Sequence, residues 1–391
     1  MTRTKTIIVG QSGGPTAVIN CTLAGVLEGA AGARVLGMRH GIEGLLNDDL
    51  VDLSNETAAH RDQLRFTPSA ALGSCRHKLT ENDIDVALAR IKQLEVDAFL
   101  YAGGNDSADT THRLSKAAQA MGLHTAFLGL PKTIDNDLPE MDHCPGFGSA
   151  ARFVAVATQE IGTDTAAMRR TDPIRFIEVM GRDAGWLAAS SALGRMGPGE
   201  APHLVLLPEA PLAVESILER IEALHREREH VVVVLCENQP ADDGKVLGSE
   251  AGPEFIDSFG HPYYASPALY LARRVSGELG LRARVDPLSR LQRSSIALRS
   301  DVDAEEAEAL GNAAVPLALR GETDQMLTLQ RISDAPYACE ISRTPIERIA
   351  NRQKLLPPDF ISVDGSGPSE AYLNWARPLI GANLSTHRRF D

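Results

Sequence analysis

At 391 residues, 43% apolar and 23% charged, the chain is long enough for about two domains with buried cores. A net charge of −13 excludes nucleic acid as an expected partner, since that binding needs a basic surface; an anionic substrate would have to meet basic side chains gathered locally. No run reaches the ~18 apolar residues of a membrane span, the opening MTRTKTIIVGQSGG lacks a signal-peptide core, and the cysteines (Cys21, Cys75, Cys144, Cys236, Cys339) are odd in number with no CxxC spacing. The expectation is a cytoplasmic protein with no membrane partner, no disulfide framework and no structural zinc site.

Short aliphatic runs recur along the chain, each ending in glycine, proline or a polar cluster. Thr6–Val9 runs into Gly10, Ala98–Tyr101 into Gly103-Gly104, Ala126–Leu130 into Pro131, Ile174–Met180 into Gly181, Leu204–Leu207 into Pro208, and Val231–Leu235 into Cys236-Glu237. Helical patterns lie among them, over Ala17–Glu28, Asp83–Leu94, Ser107–Met121 and Val214–Arg226. Near-continuous apolar strands alternating with helices predict an α/β fold of doubly wound, Rossmann-like sheets, in two domains with the active-site cleft between them. Ligands of such sheets sit beyond the carboxyl ends of the strands, so the loops after these runs are the candidate site. The turn-rich, aromatic stretch from Leu355 reads as a packed appendage.

The first loop, Gly10-Gln11-Ser12-Gly13-Gly14-Pro15-Thr16, opens a helix, where free N–H groups and the dipole favour an anion; it lacks the Lys-Ser/Thr of a Walker loop, and a ligand-free tight turn would look the same. The second, Gly103-Gly104-Asn105-Asp106-Ser107, suits a hydrated Mg²⁺ on a phosphate, or simply a helix N-cap made from Asn, Asp or Ser. The third, Pro131-Lys132-Thr133-Ile134-Asp135-Asn136-Asp137, pairs carboxylates with a lysine, the elements of a general base and of charge stabilisation; a charged surface turn is the plainer alternative. The fourth is Met180-Gly181-Arg182-Asp183-Ala184-Gly185, and the fifth contains Arg284, Arg290 and Arg293. With Arg76 and Lys78, these arginines supply the local basic character that an acidic protein needs for phosphates, or else form a solvated helix face. Gly146-Phe147-Gly148-Ser149-Ala150-Ala151 matches a dinucleotide fingerprint but follows Met-Asp-His-Cys-Pro rather than an apolar strand, so a nicotinamide site is not expected.

Taken in order, Ser-Gly-Gly, Gly-Gly-x-x-Ser, Thr-Ile-Asp-Asn-Asp and Met-Gly-Arg resemble the phosphofructokinase family from Ile7 to about Leu319. The resemblance implies a cytoplasmic homodimer or homotetramer that uses Mg²⁺ to phosphorylate the C1 hydroxyl of fructose 6-phosphate. It implies a donor-binding domain over 1–145 plus roughly 292–345 and a sugar-phosphate domain over 146–291 plus 346–391. Asp135 matches the catalytic base, and Lys132 and Asp106 join it in the catalytic set. Gly13, Gly14, Arg76, Gly104 and Ser107 match donor contacts. Thr133, Ile134, Met180, Gly181, Arg182, Glu237, Arg284, Arg290 and Arg293 match sugar-phosphate contacts, and Asn105, Asp106 and Asp137 the metal region.

ATP-dependent members of the family typically read Gly-Gly-Asp-Gly-Ser and Pro-Gly-Thr-Ile-Asp. Here Asp106 and Lys132 replace the second small glycine and the glycine before Thr-Ile-Asp, which resembles the pyrophosphate-dependent branch. A carboxylate repels a nucleotide's inner phosphate, while a lysine attracts the transferring and leaving groups. Asn105 departs from the family's usual metal-binding Asp, Arg290 stands where His or an aromatic residue is common, and neither Arg170 nor Arg175 aligns with the arginine that crosses a subunit boundary. An ATP donor, sedoheptulose 7-phosphate as acceptor, and a silent sugar-phosphate-binding paralogue remain as alternatives.

Overall fold

The apolar runs form strands because consecutive residues can bury both faces of a sheet at once. In the computed structural model, which describes residues 3–197, 199–256 and 262–386, the strands in chain order are β1 (Thr6–Gln11), β2 (Arg34–Met38), β3 (Leu50–Asp52), β4 (Ala98–Gly103), β5 (Ala126–Pro131), β6 (Ile174–Val179), β7 (Leu204–Val205), β8 (Val231–Cys236), β9 (Phe255–Ile256), β10 (Pro262–Tyr263), β11 (Ala283–Pro287), β12 (Gln325–Asp334) and β13 (Tyr337–Pro345). The chain divides into two units, Met1–Ser149 with Arg293–Lys354 and Ala150–Gln292 with Leu355–Asp391.

Unit 1 is built on a sheet of order β13-β12-β5-β4-β1-β2-β3. β12, β5, β4, β1 and β2 run parallel, and β13 and β3 are antiparallel edges. Alternation assigns the faces. Ile7, Val9 and Leu100 pack with Leu23 and Val26 of helix Ile19–Gly29 and with Leu310 and Val315 of helix Asp301–Leu319. Ile8, Phe99, Tyr101 and Phe127 face the other way, onto Ile84, Leu88 and Ile91 of helix Glu81–Gln93 and Leu114 of helix Asn105–Ala120. Thr80 starts the Glu81–Gln93 helix with a capping box to Asp83, which explains why the predicted start at Asp83 came late.

The two helices on the first face meet at glycines. A Cβ on Gly311 would lie 2.0 Å from the Thr22 carbonyl oxygen, and one on Gly25 would lie 1.9 Å from that of Glu308. Backbone cannot yield as a flexible side chain can, so Gly311→Ala is expected to destabilise unit 1 by about 3 kcal/mol. Denaturant unfolding should show a lower midpoint with an unchanged slope; an unaltered midpoint would refute the close approach.

Unit 2 carries a parallel sheet of order β11-β6-β8-β7. On one face Ile174, Phe176, Val231, Val233 and Leu235 pack against Ile217, Leu218 and Ile221 of helix Val214–Arg228 and against Leu271 and Val275. The aromatic tail closes this unit: Phe360, Tyr372 and Trp375 cluster on Trp186, and the Tyr372 hydroxyl donates to the Trp186 carbonyl at 2.6 Å. Among the described residues no helix is long and apolar enough to cross a membrane.

Candidate functional site

In unit 1 the chain leaves β1 for β2 on one side, and β4 pairs on the other, so the order reverses at the β1/β4 boundary. A crevice opens beyond the carboxyl ends of strands at such a reversal, and the loops flanking it become the ligand site. Here those loops are Ser12–Thr16 after β1 and Gly104–Ser107 after β4. The Thr133–Asp137 loop follows the adjacent β5. Ser12 N–H donates to the Ala102 carbonyl at 2.8 Å and Lys132 N–H to that of Gly103 at 3.0 Å, so the pairing continues into the loops.

Lys132 organises this end of the sheet. It is only 4% exposed, and its Nζ donates to the Gly14 carbonyl at 2.7 Å. A Cβ on Gly13, which has φ 72°, would sit 3.3 Å from the same Nζ, while one on Gly14 would be 2.9 Å from Arg293 Nη1. Both glycines thus admit a cation close to the backbone, a requirement of space at each and of left-handed φ at Gly13. The segment before Arg76 clamps the turn: Ser74 Oγ donates to the Gly13 carbonyl at 2.6 Å, and Gly13 N–H donates to that of Cys75 at 3.1 Å. Lys132, Arg293, Gly13 and Gly14 therefore meet, with Arg76 two residues beyond the clamp at Ser74.

The second loop does not cap its helix with a side chain. Gly104 is the N-cap and makes no side-chain cap bond, so Asn105, Asp106 and Ser107 occupy the first helical turn, contrary to the capping alternative. Ser107 packs so tightly that a Cβ on Gly103 would fall 2.0 Å from its Oγ. Asn105 Nδ2 donates to the Arg352 carbonyl at 2.5 Å, which fixes the amide's orientation and leaves its buried Oδ1 with no hydrogen-bond partner among the described residues. An orphaned amide oxygen beside an acidic residue at a helix start is a fitting donor for a hard cation.

On the third loop Thr133 and Ile134 are buried, and Asp135 and Asp137 are half-buried. Asp135 N–H donates to Thr133 Oγ1 at 3.1 Å, and Asn136, at φ 54°, bends the chain while its Oδ1 accepts Cys144 N–H at 3.0 Å. A left-handed non-glycine residue stores strain that the surrounding bonds must hold. Lys354 supplies part of that hold. Its N–H donates to the Asp137 carbonyl at 2.7 Å, and its Nζ donates to the carbonyls of Met141 and Asp142, both at 3.0 Å. Burial pushes the Lys354 pKa down, against the opposing pull of Cys144, Asp142 and Asp137.

In unit 2, Met180-Gly181-Arg182 leaves the carboxyl end of β6 with successive left-handed residues, φ 131° at Gly181 and 51° at Arg182. Glu237, at the matching end of β8, donates its N–H to the Val179 carbonyl at 3.0 Å, and Asn238 Nδ2 bonds Asp183 at 3.0 Å. Buried Gln292 ties this loop to the segment that leads to Arg290: its Oε1 accepts Met180 N–H at 3.1 Å and its Nε2 donates to the Ser289 carbonyl at 2.8 Å. Glu209 accepts Gly185 N–H at 3.0 Å and Leu356 N–H at 2.8 Å; burial raises its pKa, with those two donors opposing.

Arg284 and Arg293 were both expected on the sugar phosphate. Arg284 lies at the start of β11, opposite Arg175, and bonds Asp172 at 3.1 Å. The strand register puts it roughly 15 Å along the sheet from Met180, so in one chain it does not join that loop. Arg293 lies against Gly14 in unit 1, on the helical turn Leu291–Ser294. Gly146 follows no strand; its N–H donates to buried Asp303 at 2.8 Å at the start of helix Phe147–Ala167, so the fingerprint is a helix start held by a carboxylate. Sequence reading missed Ser74, Gln292, Asp303 and Lys354. Only Gln292 had a local signal, its place among the arginines.

A family model described as phosphofructokinase matches residues 6–318. The chain is 43% identical over 383 residues to the pyrophosphate–fructose 6-phosphate 1-phosphotransferase of Xanthomonas campestris pv. campestris, covering 96% of this chain and 91% of that one. Among solved structures, the pyrophosphate-dependent phosphofructokinase of Nitrosospira multiformis has a TM-score of 0.87 at 35% identity, over 98% of this chain and 94% of the other. That of Marinobacter aquaeolei has a TM-score of 0.85 at 34% identity, over 99% and 94% respectively.

Proposed function

We infer that this chain, which belongs to the phosphofructokinase family, moves a phosphoryl group from inorganic pyrophosphate to the C1 hydroxyl of fructose 6-phosphate, giving phosphate and fructose 1,6-bisphosphate. The observation that carries the donor assignment is Lys132, whose ammonium is buried against the Gly13–Gly14 turn at the sheet's reversal point. A buried cation there favours a compact polyanion.

Asp135 takes the C1 hydroxyl proton as that oxygen bonds to phosphorus, and the bond from phosphorus to the bridging oxygen breaks in line. Lys132, Arg76, Arg293 and the backbone N–H of Gly14 offset the charge on the departing phosphate, with Gly13 giving the backbone its close approach. Gly104 and Ser107 flank the donor, and Thr133 and Ile134 shape the acceptor's approach. Mg²⁺ fits the orphaned Asn105 Oδ1 together with the Asp106 carboxylate, with Asp137 supporting the loop; when bound it supplies positive charge to the phosphate oxygens. Met180, Gly181, Arg182, Glu237 and Arg290 take the sugar phosphate. The placement of Arg284 supports no contact with the Met180 loop of its own chain. A homodimer or homotetramer is proposed from family membership alone.

A matrix of donors (pyrophosphate, ATP) against acceptors (fructose 6-phosphate, sedoheptulose 7-phosphate) with Mg²⁺ tests this reading. Turnover with pyrophosphate should exceed that with ATP by at least about 100-fold, the scale of losing or opposing key phosphate contacts. Strong ATP use without pyrophosphate use would overturn the donor assignment.

A further inference from the structure

The loop after Asp137 ends in Asp142-His143-Cys144 and packs in unit 1 against helix Asp301–Leu319 and the β12–β13 hairpin. His143 is 1% exposed and has a carboxylate at each ring nitrogen: Nδ1 is 2.8 Å from Asp142 and Nε2 is 2.7 Å from Glu306. The Tyr337 hydroxyl donates to the other Glu306 oxygen at 2.5 Å, and Arg331 pairs with Asp142 at 3.2 Å. Cys339 Sγ completes the group, with ligand atoms of His143, Glu306 and Cys339 all within 4.8 Å of one another.

We propose that His143, Glu306 and Cys339 form a binding site for a thiophilic divalent transition-metal ion, Zn²⁺ above all. Nitrogen, carboxylate and thiolate are the donors Zn²⁺ takes, whereas Mg²⁺ prefers oxygen alone. Zn–N and Zn–O bonds of about 2.0–2.2 Å and a Zn–S bond of about 2.3 Å put tetrahedral ligand atoms roughly 3.3–3.6 Å apart. His143 and Glu306 must therefore part by roughly 0.6 Å, and the Cys339 thiol need close by no more than about 1 Å. Cys339 is half-buried on an edge strand, so that movement stays local, and water can take the fourth position. Asp142 already holds Nδ1, as an outer carboxylate does for a metal-bound histidine. Arg331, paired with the same Asp142 oxygen, balances that carboxylate.

Binding exchanges protons for the ion: one leaves His143 Nε2 and one leaves the Cys339 thiol. Affinity should therefore rise with pH. The expectation of no zinc site rested on the lack of CxxC spacing, and these donors come from three distant stretches of chain.

The test is Co²⁺ titration of the full chain, stripped with chelator, in excess Mg²⁺. The expected result is one ion per chain with a thiolate-to-cobalt charge-transfer band that Zn²⁺ abolishes. Cys339→Ser should remove the band and weaken binding at least tenfold, and His143→Gln should weaken it similarly. Absence of the band in the unaltered protein, or unchanged affinity in the half-buried Cys339→Ser variant, overturns the proposal.

Discussion

Asp135→Asn is expected to lower kcat about 1,000-fold while leaving the KM values for pyrophosphate and fructose 6-phosphate within a few-fold of their original values. The amide has the carboxylate's shape but cannot take the C1 hydroxyl proton. The backbone N–H of residue 135 still donates to Thr133 Oγ1 in the variant, so this anchor of the loop is kept. Steady-state kinetics on both substrates, with circular dichroism to confirm the fold, checks this. Full activity would show that another group, or water, takes the proton.

Lys132→Met should cut turnover with pyrophosphate by about 100–1,000-fold, the range seen when one preorganised charge-stabilising group is removed. Methionine fills similar space, so the loss isolates the ammonium. The same ammonium also donates to the Gly14 carbonyl, so the turn loses a hydrogen bond and the pyrophosphate KM should rise as well. The KM for fructose 6-phosphate should hold. A defect confined to the acceptor KM would move Lys132 out of the donor role. No gain of ATP use is expected, since Asp106 still opposes a nucleotide's inner phosphate.

These two residues were legible because each follows a long apolar run, and a parallel sheet presents its strand ends together. Thr6–Val9, Ala98–Tyr101 and Ala126–Leu130 show as strands in composition alone, being buried on both faces. The Arg34–Met38 strand was missed, for it is short and contains Gly37, and so was the β12–β13 hairpin, whose outward positions are polar. Taken alone, Asn105 read as a cap rather than a ligand. Only the placement of Gly104 at the N-cap and of the Arg352 carbonyl against Nδ2 separates the two.

The amino-acid order by itself determined the strand–loop–helix pattern, the acidic balance and the chemical types at each strand end, because these depend on neighbours within a few residues. Tertiary structure alone decided that Arg293 faces Gly14 while Arg284 lies at the far end of its strand, that Lys354 and Gln292 hold loops distant in sequence, and that His143, Glu306 and Cys339 meet. Such contacts arise when separate stretches pack on a shared sheet, and no local pattern records which side chains will then touch.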